Sequence, residues 1–335
     1  MGFVANYLRN LVPVALGRQP ERPLLFSYYI THRCELNCTY CSDGDGKRFK
    51  VERIPELTTG EAKQLLRILR RETDTLDITG GEPLVRPDLE EVLGEARALG
   101  FRTILNTKGL GLIERPELLR LCDVLVLGVD ALKTEKLAEL IGRPAETARR
   151  VLESLRHVVA KRNGTGAQVV LSAVAAPENL DDVEEVLRFA LEHRLGFHVS
   201  PQLVGTQGRP ELRDSPRYRE LIDRVRGAKR TQRGVLGVEA YLRGIRDFTR
   251  FRCHPLLMPV IRPDGRLYYP CLESKQAEVS VLEMGSYRAA LSAARARHGA
   301  IPECRACCHI FCHMALSLLQ RHPLAALGEG KHWRN

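Results

Sequence analysis

The sequence predicts an α/β fold, in which one parallel sheet is covered by helices and a smaller cysteine-rich module follows. Six short, nearly all-apolar segments recur between residues 24 and 205, and helix-like segments separate them. Such strands are buried on both faces and are typical of parallel sheets. The composition, with 44% hydrophobic and 27% charged residues, is that of an ordinary globular chain. A length of 335 residues suits one barrel-like domain with an appendage.

The predicted elements follow from the periodicity of the apolar residues and from helix caps. Thr58 or Thr59 is the expected N-cap of the first barrel helix, because a threonine hydroxyl accepts a hydrogen bond from a free backbone N–H group. Gly100 is the expected C-cap of the next helix. The predicted strands cover residues 24–30, 76–79, 102–106, 124–129, 168–173 and 196–201, and the predicted helices cover residues 59–71, 88–99, 116–121, 145–162 and 180–194.

Polar side chains at the carboxyl ends of these strands are candidate site residues. In parallel α/β barrels the loops that follow the strands converge at one end, and active sites lie there. Asp130 and Gln202 are equally consistent with a structural role at this rim. The candidates at the strand ends are Asn106, Thr107, Asp130, Ser172, Ser200 and Gln202.

The loop after the first strand carries three closely spaced cysteines, Cys34, Cys38 and Cys41, with Tyr40 before the last. Four thiolates complete the coordination of a [4Fe–4S] cluster, so a loop with three leaves one iron open to a substrate or cofactor. Disulfides would require an oxidising compartment, and residues 1–18 do not have the pattern of a secretory leader, so we expect a cytoplasmic protein. Zinc sites usually contain two Cys-x2-Cys units, and this loop contains only one.

The turn after the second strand has the sequence Gly80-Gly81-Glu82-Pro83. Glycines let a backbone approach a ligand closely, and a fixed carboxylate can accept hydrogen bonds from an ammonium group. By itself this sequence predicts only a turn. After a loop with three cysteines, it supports a site at the same end of the sheet.

Residues 28–41 together with this turn resemble the cluster loop and the cofactor-binding turn of the radical S-adenosylmethionine (SAM) superfamily. The resemblance implies a partial (β/α)6 TIM-like barrel in which Cys34, Cys38 and Cys41 hold the cluster. It also implies that Glu82 orients the amino group of SAM. The residues that the resemblance assigns to SAM are Tyr40, Gly80, Gly81, Glu82, Pro83, Asn106, Thr107 and Ser172.

The resemblance further implies an activity. Enzymes of this superfamily cleave SAM reductively, and the 5′-deoxyadenosyl radical that results abstracts hydrogen from a substrate. A flavodoxin- or ferredoxin-type electron donor is implied, and a formal net charge of +10 suits an acidic protein of that kind. No nucleic-acid-binding motif occurs, so nucleic acid is not an expected partner. A non-catalytic iron–sulfur or zinc scaffold is the alternative, but it would not need the turn that contains Glu82.

A second group of cysteines lies within residues 253–312. Residues 260–271 are predicted to form a hairpin that turns at Asp264-Gly265. A hairpin followed by a helix and a Cys-x2-Cys loop resembles the SPASM or twitch extension of radical SAM enzymes, which holds auxiliary [4Fe–4S] clusters. Six thiols suffice for one such cluster. The resemblance implies the ligands Cys253 and Cys271, followed by Cys304, Cys307 and then Cys312, whereas Cys308 is awkwardly placed beside Cys307.

Other interpretations of the metal-binding residues remain. A calcium loop from Asp43 is not expected, because its twelfth position is Ile54 rather than a carboxylate. Cys122, alone at a helix end, is predicted to be a small buried hydrophobic residue. The zinc alternative for the second group uses Cys304, Cys307, His309 and Cys312 or His313.

The N-terminal segment bears on the substrate, which the sequence leaves open. Apolar residues at helical spacing from Phe3 to Leu16 accompany Arg9 and Arg18, as in basic helices that lie on anionic membranes. A lid helix packed on the barrel is the plainer alternative. The membrane interpretation predicts a lipid or other membrane-associated substrate and a peripheral contact with the inner face of the membrane.

Modification of a ribosomally made peptide is the alternative function, although the 23 residues before the first strand are too few for a leader-binding domain. No apolar run reaches the roughly 18 residues that a membrane-spanning helix needs. The expected division of the chain is an N-terminal helix and extension (1–23), the partial barrel (24–205), a helical bridge (206–250), the auxiliary-cluster module (251–315) and a C-terminal tail (316–335).

Overall fold

The computed structural model describes residues 2–41, 53–274, 276–301 and 308–332. Its strands are β1 Phe26–Thr31, β2 Thr75–Gly80, β3 Arg102–Thr107, β4 Val124–Gly128, β5 Gln168–Ala175, β6 Gly196–Pro201, β7 Leu203–Val204, β8 Gln207–Gly208, β9 Val260–Ile261 and β10 Leu267–Tyr268. Eight of them form one sheet in the order β10-β9-β1-β2-β3-β4-β5-β6, and β7 pairs with β8. Strands β1 to β6 are parallel, which confirms the predicted α/β fold with six parallel strands.

Helices connect and cover these strands. The capping box at the start of the first barrel helix uses Thr58, one of the two predicted caps, with Glu61 as its partner. The helices are α1 Phe3–Ala15, α2 Thr59–Arg70, α3 Leu89–Ala98, α4 Leu118–Leu121, α5 Thr134–Ile141, α6 Ala145–Lys161, α7 Leu180–Glu192, α8 Pro210–Arg213, α9 Pro216–Thr231, α10 Glu239–Asp247, α11 Val281–Met284, α12 Tyr287–His298, α13 Phe311–Arg321 and α14 Pro323–Glu329.

One barrel helix was not predicted from the sequence. Helix α5 is eight residues long and lies between β4 and α6. Its apolar residues Leu137, Leu140 and Ile141 are buried against the cysteine loop rather than along the sheet. A helix of two turns gives too short a periodic pattern to stand out, and its stability comes from this tertiary contact.

The two faces of the sheet differ in chemistry. Phe26, Leu76 and Leu105 join the main core beneath α2 and α3. Ser27 and Asp77 alternate with these core residues, so they lie on the inner face of the barrel. Ser27 donates a hydrogen bond of 2.8 Å to Asp77, which couples β1 to β2 on that face.

The C-terminal segment completes the sheet rather than standing apart from it. β9 pairs with β1 in parallel, and the antiparallel partner β10 confirms the predicted hairpin. Helix α13 begins at the inner face, where the ring of Phe311 lies 3.7 Å from that of His198 on β6. It ends against α1, because Tyr7 donates a 3.0 Å hydrogen bond to the carbonyl of Leu319. Within the described ranges, no helix combines the length and hydropathy needed to span a bilayer.

Candidate active site

The cysteine loop follows β1 at the carboxyl end of the sheet, and α5 holds its backbone. The N–H group of Asn37 donates to the carbonyl of Ile141 at 2.9 Å, and that of Thr39 donates to Leu140 at 3.0 Å. Gly142 ends α5 with a φ of +59°, and a side chain there would place Cβ 2.6 Å from the carbonyl oxygen of Asn37. The loop can approach this closely only because residue 142 is glycine.

The three thiols lie in apolar surroundings. Cys38 is buried, whereas Cys34 and Cys41 are half-buried. Burial raises the pKa of the Cys38 thiol to about 11, so this thiol stays protonated at neutral pH unless a metal displaces the proton. The N–H group of Leu36 donates to the Cys34 sulfur at 3.4 Å and orients it. The apolar residues packed around the loop are Leu36, Tyr40, Ala131, Leu137, Leu140, Ile141, Ala148, Val151 and Leu152.

This donor set fits an iron–sulfur cluster better than a single ion. Soft sulfur ligands within an apolar shell are the usual setting of such clusters. Among the described residues, no three Cys, His, Asp or Glu side chains converge on a single ion position. The thiolates of a cluster bind different irons, so a cluster does not require that convergence.

The glycine turn after β2 packs directly on the start of the cysteine loop. The N–H group of Gly81 donates to the carbonyl of Thr31, and that of Glu82 donates to Arg33, both at 2.8 Å. Gly80 has a φ of +137°, a conformation that side chains disfavour. A Cβ atom on either glycine would overlap the carbonyl oxygen of Thr31 or of Arg33. The two glycines therefore join the two sequence motifs through their backbones.

The Glu82 carboxylate is buried and held by three donors. Thr107 donates from its hydroxyl at 2.6 Å and Leu84 from its N–H group at 3.1 Å, both to Oε1, while the N–H group of Lys108 donates to Oε2 at 2.9 Å. Burial raises the pKa of Glu82, and these hydrogen bonds oppose the rise. An ionised carboxylate has about four acceptor positions, so Oε2 retains one for a further donor.

Lys108 joins the two motifs and was missed in the sequence analysis. Its ammonium group donates to the Tyr40 hydroxyl at 2.9 Å and forms an ion pair with Asp130. Tyr40 also donates to Asp130. Burial acts to lower the pKa of Lys108, but the negative groups around it, with Asp130 foremost, together raise this pKa above its ordinary value. The sequence feature that could have identified Lys108 is its position directly after Thr107, at the end of β3.

Asp77 is a second group that was missed. It is buried on the inner face, and burial raises its pKa to about 6, against the hydrogen bonds from Ser27 and Asn106. The sequence feature that could have identified Asp77 is a carboxylate within an otherwise apolar strand segment. Residues that conflict with the pattern around them concentrate at functional sites.

The other predicted residues occupy several positions around this end of the sheet. Asn106 contacts Asp77, and Thr107 contacts Glu82, as described above. Pro83 opens a single 3-10 turn directly after Glu82. Ser172 is half-buried on β5, in register with Gly128. The side-chain oxygen of Gln202 accepts a 2.9 Å hydrogen bond from Arg209.

The second group of cysteines is described only in part. Cys253 and Cys308 are buried, and Cys271 and Cys312 are half-buried. Burial raises the pKa of Cys312 to about 12, and the nearby Asp77 carboxylate adds to the rise, which puts Cys312 beside the inner face of the sheet. The histidines of the zinc alternative, His309 and His313, are buried. Cys304 and Cys307 lie outside the described residues, as does most of the segment 43–54 that was considered as a calcium loop.

The family model described as the Radical SAM superfamily matches residues 28–190. These residues form a radical SAM domain. The matched range contains the cysteine loop, the glycine turn, most of β1 and all of β2 to β5. A [4Fe–4S] cluster and SAM are the cofactors that this family implies.

Curated relatives match about half of the chain. A GTP 3′,8-cyclase of Mycolicibacterium smegmatis is 33% identical over 181 residues, which cover 52% of this chain and 48% of the relative. A GTP 3′,8-cyclase of Mycobacterium sp. (strain KMS) is 30% identical over 184 residues, covering 52% and 50%. The chain thus spans about half the length of these relatives.

Solved structures match over more of the chain at lower identity. Streptococcus suis SuiB bound to S-adenosylmethionine has a TM-score of 0.61 and 18% identity, covering 82% of this chain and 67% of SuiB. Native anSMEcpe with bound AdoMet and Cp18Cys peptide has a TM-score of 0.56 and 13% identity, covering 91% and 98%. At these identities the likeness supports the fold alone.

Proposed function

We propose that this protein is an enzyme that cleaves SAM reductively and uses the resulting 5′-deoxyadenosyl radical to abstract hydrogen from a substrate. One observation carries the proposal: the glycine turn is hydrogen-bonded to the start of the cysteine loop, so the candidate cluster ligands and Glu82 form one unit. A disulfide or a mononuclear zinc site would not require these hydrogen bonds between the turn and the loop.

The chain's own residues have separate roles in this proposal. Cys34, Cys38 and Cys41 hold the cluster, which supplies the electron when bound. Glu82 offers the remaining position on Oε2 to the ammonium group of SAM, a charge-assisted hydrogen bond that fixes the cofactor's orientation. Burial of the carboxylate and of Cys38 keeps water away from this edge of the site.

The substrate is proposed at the level of chemical class. A lipid or membrane-associated molecule is favoured by exposed apolar residues on α1, at positions 4, 8, 12 and 16. A peptide is the second candidate, because SuiB has been solved with its precursor peptide SuiA and has a similar fold, with a TM-score of 0.60. We also propose that Cys253 and Cys271 contribute to an auxiliary [4Fe–4S] cluster, and that a flavodoxin- or ferredoxin-type protein supplies electrons.

The test of the reaction is the formation of 5′-deoxyadenosine. The full chain, reconstituted anaerobically with iron and sulfide and then reduced with dithionite, should convert SAM to 5′-deoxyadenosine and methionine. In the variant Cys38→Ala, the yield of 5′-deoxyadenosine should fall to that of a reaction mixture without protein. Cys122→Ala removes a buried thiol outside the site and should leave the reaction intact. If a wild-type chain that contains the cluster forms no 5′-deoxyadenosine, the proposal is refuted.

Glu82 is tested separately from the cluster. Glu82→Gln keeps the shape of the side chain but removes the charge that an ammonium group would meet. A hydrogen bond to a charged group contributes about 1.5–3 kcal/mol, so the SAM concentration for half-maximal turnover should rise about tenfold or more. The iron content should stay that of the wild-type chain. An unchanged dependence on SAM would remove Glu82 from the binding site.

The substrate classes are separated by stimulation of turnover. Vesicles of total polar lipids, a mixture of synthetic peptides, and GTP, which the names of the curated relatives contain, are added in parallel. The lipid proposal expects 5′-deoxyadenosine to increase only with the vesicles, with a modified lipid detected by mass spectrometry. Stimulation by the peptides or by GTP alone would replace the lipid proposal.

A further inference from the structure

Helix α1 is apolar on both sides: residues 3, 7, 11 and 14 are half-buried, and a second apolar row is exposed to solvent. Asn6 and Asn10 on its inner side are 0% and 1% exposed. Val4, Leu8, Val12 and Leu16 are 69%, 58%, 65% and 63% exposed. Amphipathic helices ordinarily turn apolar residues toward the core and polar residues toward water. The exposed apolar row therefore indicates a contact that the isolated chain does not show.

The orientation of α1 is fixed by hydrogen bonds. The side-chain amide of Asn6 donates to the carbonyls of Pro23 at 2.7 Å and Glu72 at 2.8 Å. The amide of Asn10 donates to the carbonyl of Arg22 at 2.8 Å. Rotating the helix to bury its apolar row would break these bonds and leave buried carbonyl groups without partners. The apolar row therefore stays on the outside of the folded protein.

The row has the geometry and charge of a membrane-surface helix. Its four members are spaced by four residues, so they lie along one side of the helix over about 18 Å, at 1.5 Å per residue. Residues 2–20 contain Arg9 and Arg18 and no aspartate or glutamate. Cations beside an exposed apolar row match a bilayer with anionic headgroups, which offers both negative charge and an apolar layer.

A second apolar pair is exposed near the other end of the described chain. Leu324 and Leu327 on α14 are 84% and 82% exposed. Helix α14 follows directly after α13, whose last turn is hydrogen-bonded to Tyr7 in the middle of α1. The exposed pair on α14 is thus separated from α1 by one intervening helix, α13.

We propose that the outer face of α1 together with its C-cap residue, defined by Val4, Leu8, Val12 and Leu16, docks this protein on the surface of an anionic membrane. A protein partner is the less favoured occupant, because the row is one residue wide on a convex helix and forms no groove. The inference stands on burial and charge and does not depend on the radical reaction.

The experiment is co-sedimentation of the full reconstituted chain with sucrose-loaded vesicles. Phosphatidylcholine vesicles are compared with vesicles in which part of the lipid is phosphatidylglycerol. The wild-type chain should sediment with the anionic vesicles and far less with the neutral ones, and added salt should weaken the binding. The double variant Leu8→Gln, Val12→Gln should lose most of the binding, because glutamine keeps helix propensity but removes apolar area.

The control variant carries the same change on exposed apolar residues elsewhere. Val204→Gln with Met284→Gln alters side chains that are 53% and 43% exposed and should bind as the wild type does. All variants should form 5′-deoxyadenosine without vesicles at the wild-type rate, so failure of docking is distinguishable from failure of the reaction. Equal sedimentation of the two double variants overturns the proposal. A wild-type dimer in solution that Leu8→Gln, Val12→Gln converts to monomer, without vesicle binding, would also overturn it and assign the row to a contact between copies.

Discussion

Lys108 is the residue at which the charges of the site meet. Its ammonium group contacts Tyr40 and Asp130, and its backbone N–H group donates to Glu82. The side chain of Asp130 is 1% exposed, so without Lys108 a carboxylate would be buried with no compensating charge. The lysine thus stabilises both the residue beside the cysteines and the carboxylate proposed to bind SAM.

Lys108→Met should therefore destabilise the fold strongly. Removing one partner of a buried ion pair typically costs about 3–5 kcal/mol, and we expect a loss in this range in the free energy of unfolding, measured with urea. Lys63→Met breaks an ion pair whose Glu91 side chain is 61% exposed, and should cost no more than about 1 kcal/mol. Equal losses in the two variants would show that the Lys108 pair is not buried in solution.

Asp77 should make stability depend on pH. Its folded pKa of about 6 lies above the ordinary value of 3.8, so between these values the folded chain holds a proton that the unfolded chain has lost. The stability linked to this proton is fully present below about pH 4 and is lost as the pH rises through about 6. Asp77→Asn mimics the protonated form, so it should gain roughly 2–3 kcal/mol over the wild type at pH 7 and almost nothing at pH 4.

Urea unfolding of both proteins at pH 4, 5, 6 and 7 measures this difference. The groups that face Asp77 are Ser27, Asn106 and Cys312, and Asn106 can turn its amide over to match the asparagine. If the difference in unfolding free energy between the two proteins stays constant from pH 4 to pH 7, the pKa of Asp77 is not raised.

At the scale of elements, the glycine turn and the cysteine loop form one hydrogen-bonded unit. The two backbone hydrogen bonds between them leave no room for a side chain at residue 81. Helix α5 supports the loop from its other side, through the carbonyls of Leu140 and Ile141. The site is therefore positioned by three neighbouring elements and not by the loop alone.

Gly81→Ala should separate the turn from the loop. The new Cβ would clash with backbone atoms that cannot move aside freely, and the hydrogen bonds to Thr31 and Arg33 would be lost. We expect a loss of about 3 kcal/mol or more in unfolding free energy and a failure to hold iron. Gly94→Ala is the matched control, because a Cβ in the middle of α3 meets nothing within 4 Å. It should stabilise the protein by up to about 1 kcal/mol.

At the scale of the whole molecule, the C-terminal segment is tied to the barrel. β9 extends the sheet beside β1, and α13 reaches from the inner face to α1. The second group of cysteines is thus connected to the same strand that leads into the cysteine loop. An auxiliary cluster here would be part of the same folded unit as the site.

Iron analysis tests the second cluster. The anaerobically reconstituted chain should contain about eight irons and eight sulfides, and the double variant Cys253→Ser, Cys271→Ser should contain about four of each. Cys122→Ser should match the wild type. A wild-type chain with about four irons and one zinc would instead support the zinc alternative at the second group of cysteines.

The main features of the fold and of the candidate site were predictable from local patterns. Six buried strands alternating with helices dictate a parallel sheet, and the carboxyl ends of such strands meet at one edge. The loop with Cys34 and the turn with Glu82 each follow one of these strands, so their proximity follows from connectivity alone. Short-range periodicity and covalent spacing carry this information, which is why it needs no knowledge of distant contacts.

Only the tertiary structure decided how distant parts meet. Lys108 and Asp130 are joined across two strand ends, Asp77 is shared by three strands, and β9 pairs with β1 across more than half of the chain. The outward apolar row on α1 is of the same kind, because periodicity shows that a helix has two faces but not which face finds partners. Asn6 and Asn10 settled that choice by hydrogen bonds to carbonyl groups outside their own helix, at residues 22, 23 and 72, and these contacts are a property of packing and not of any local pattern.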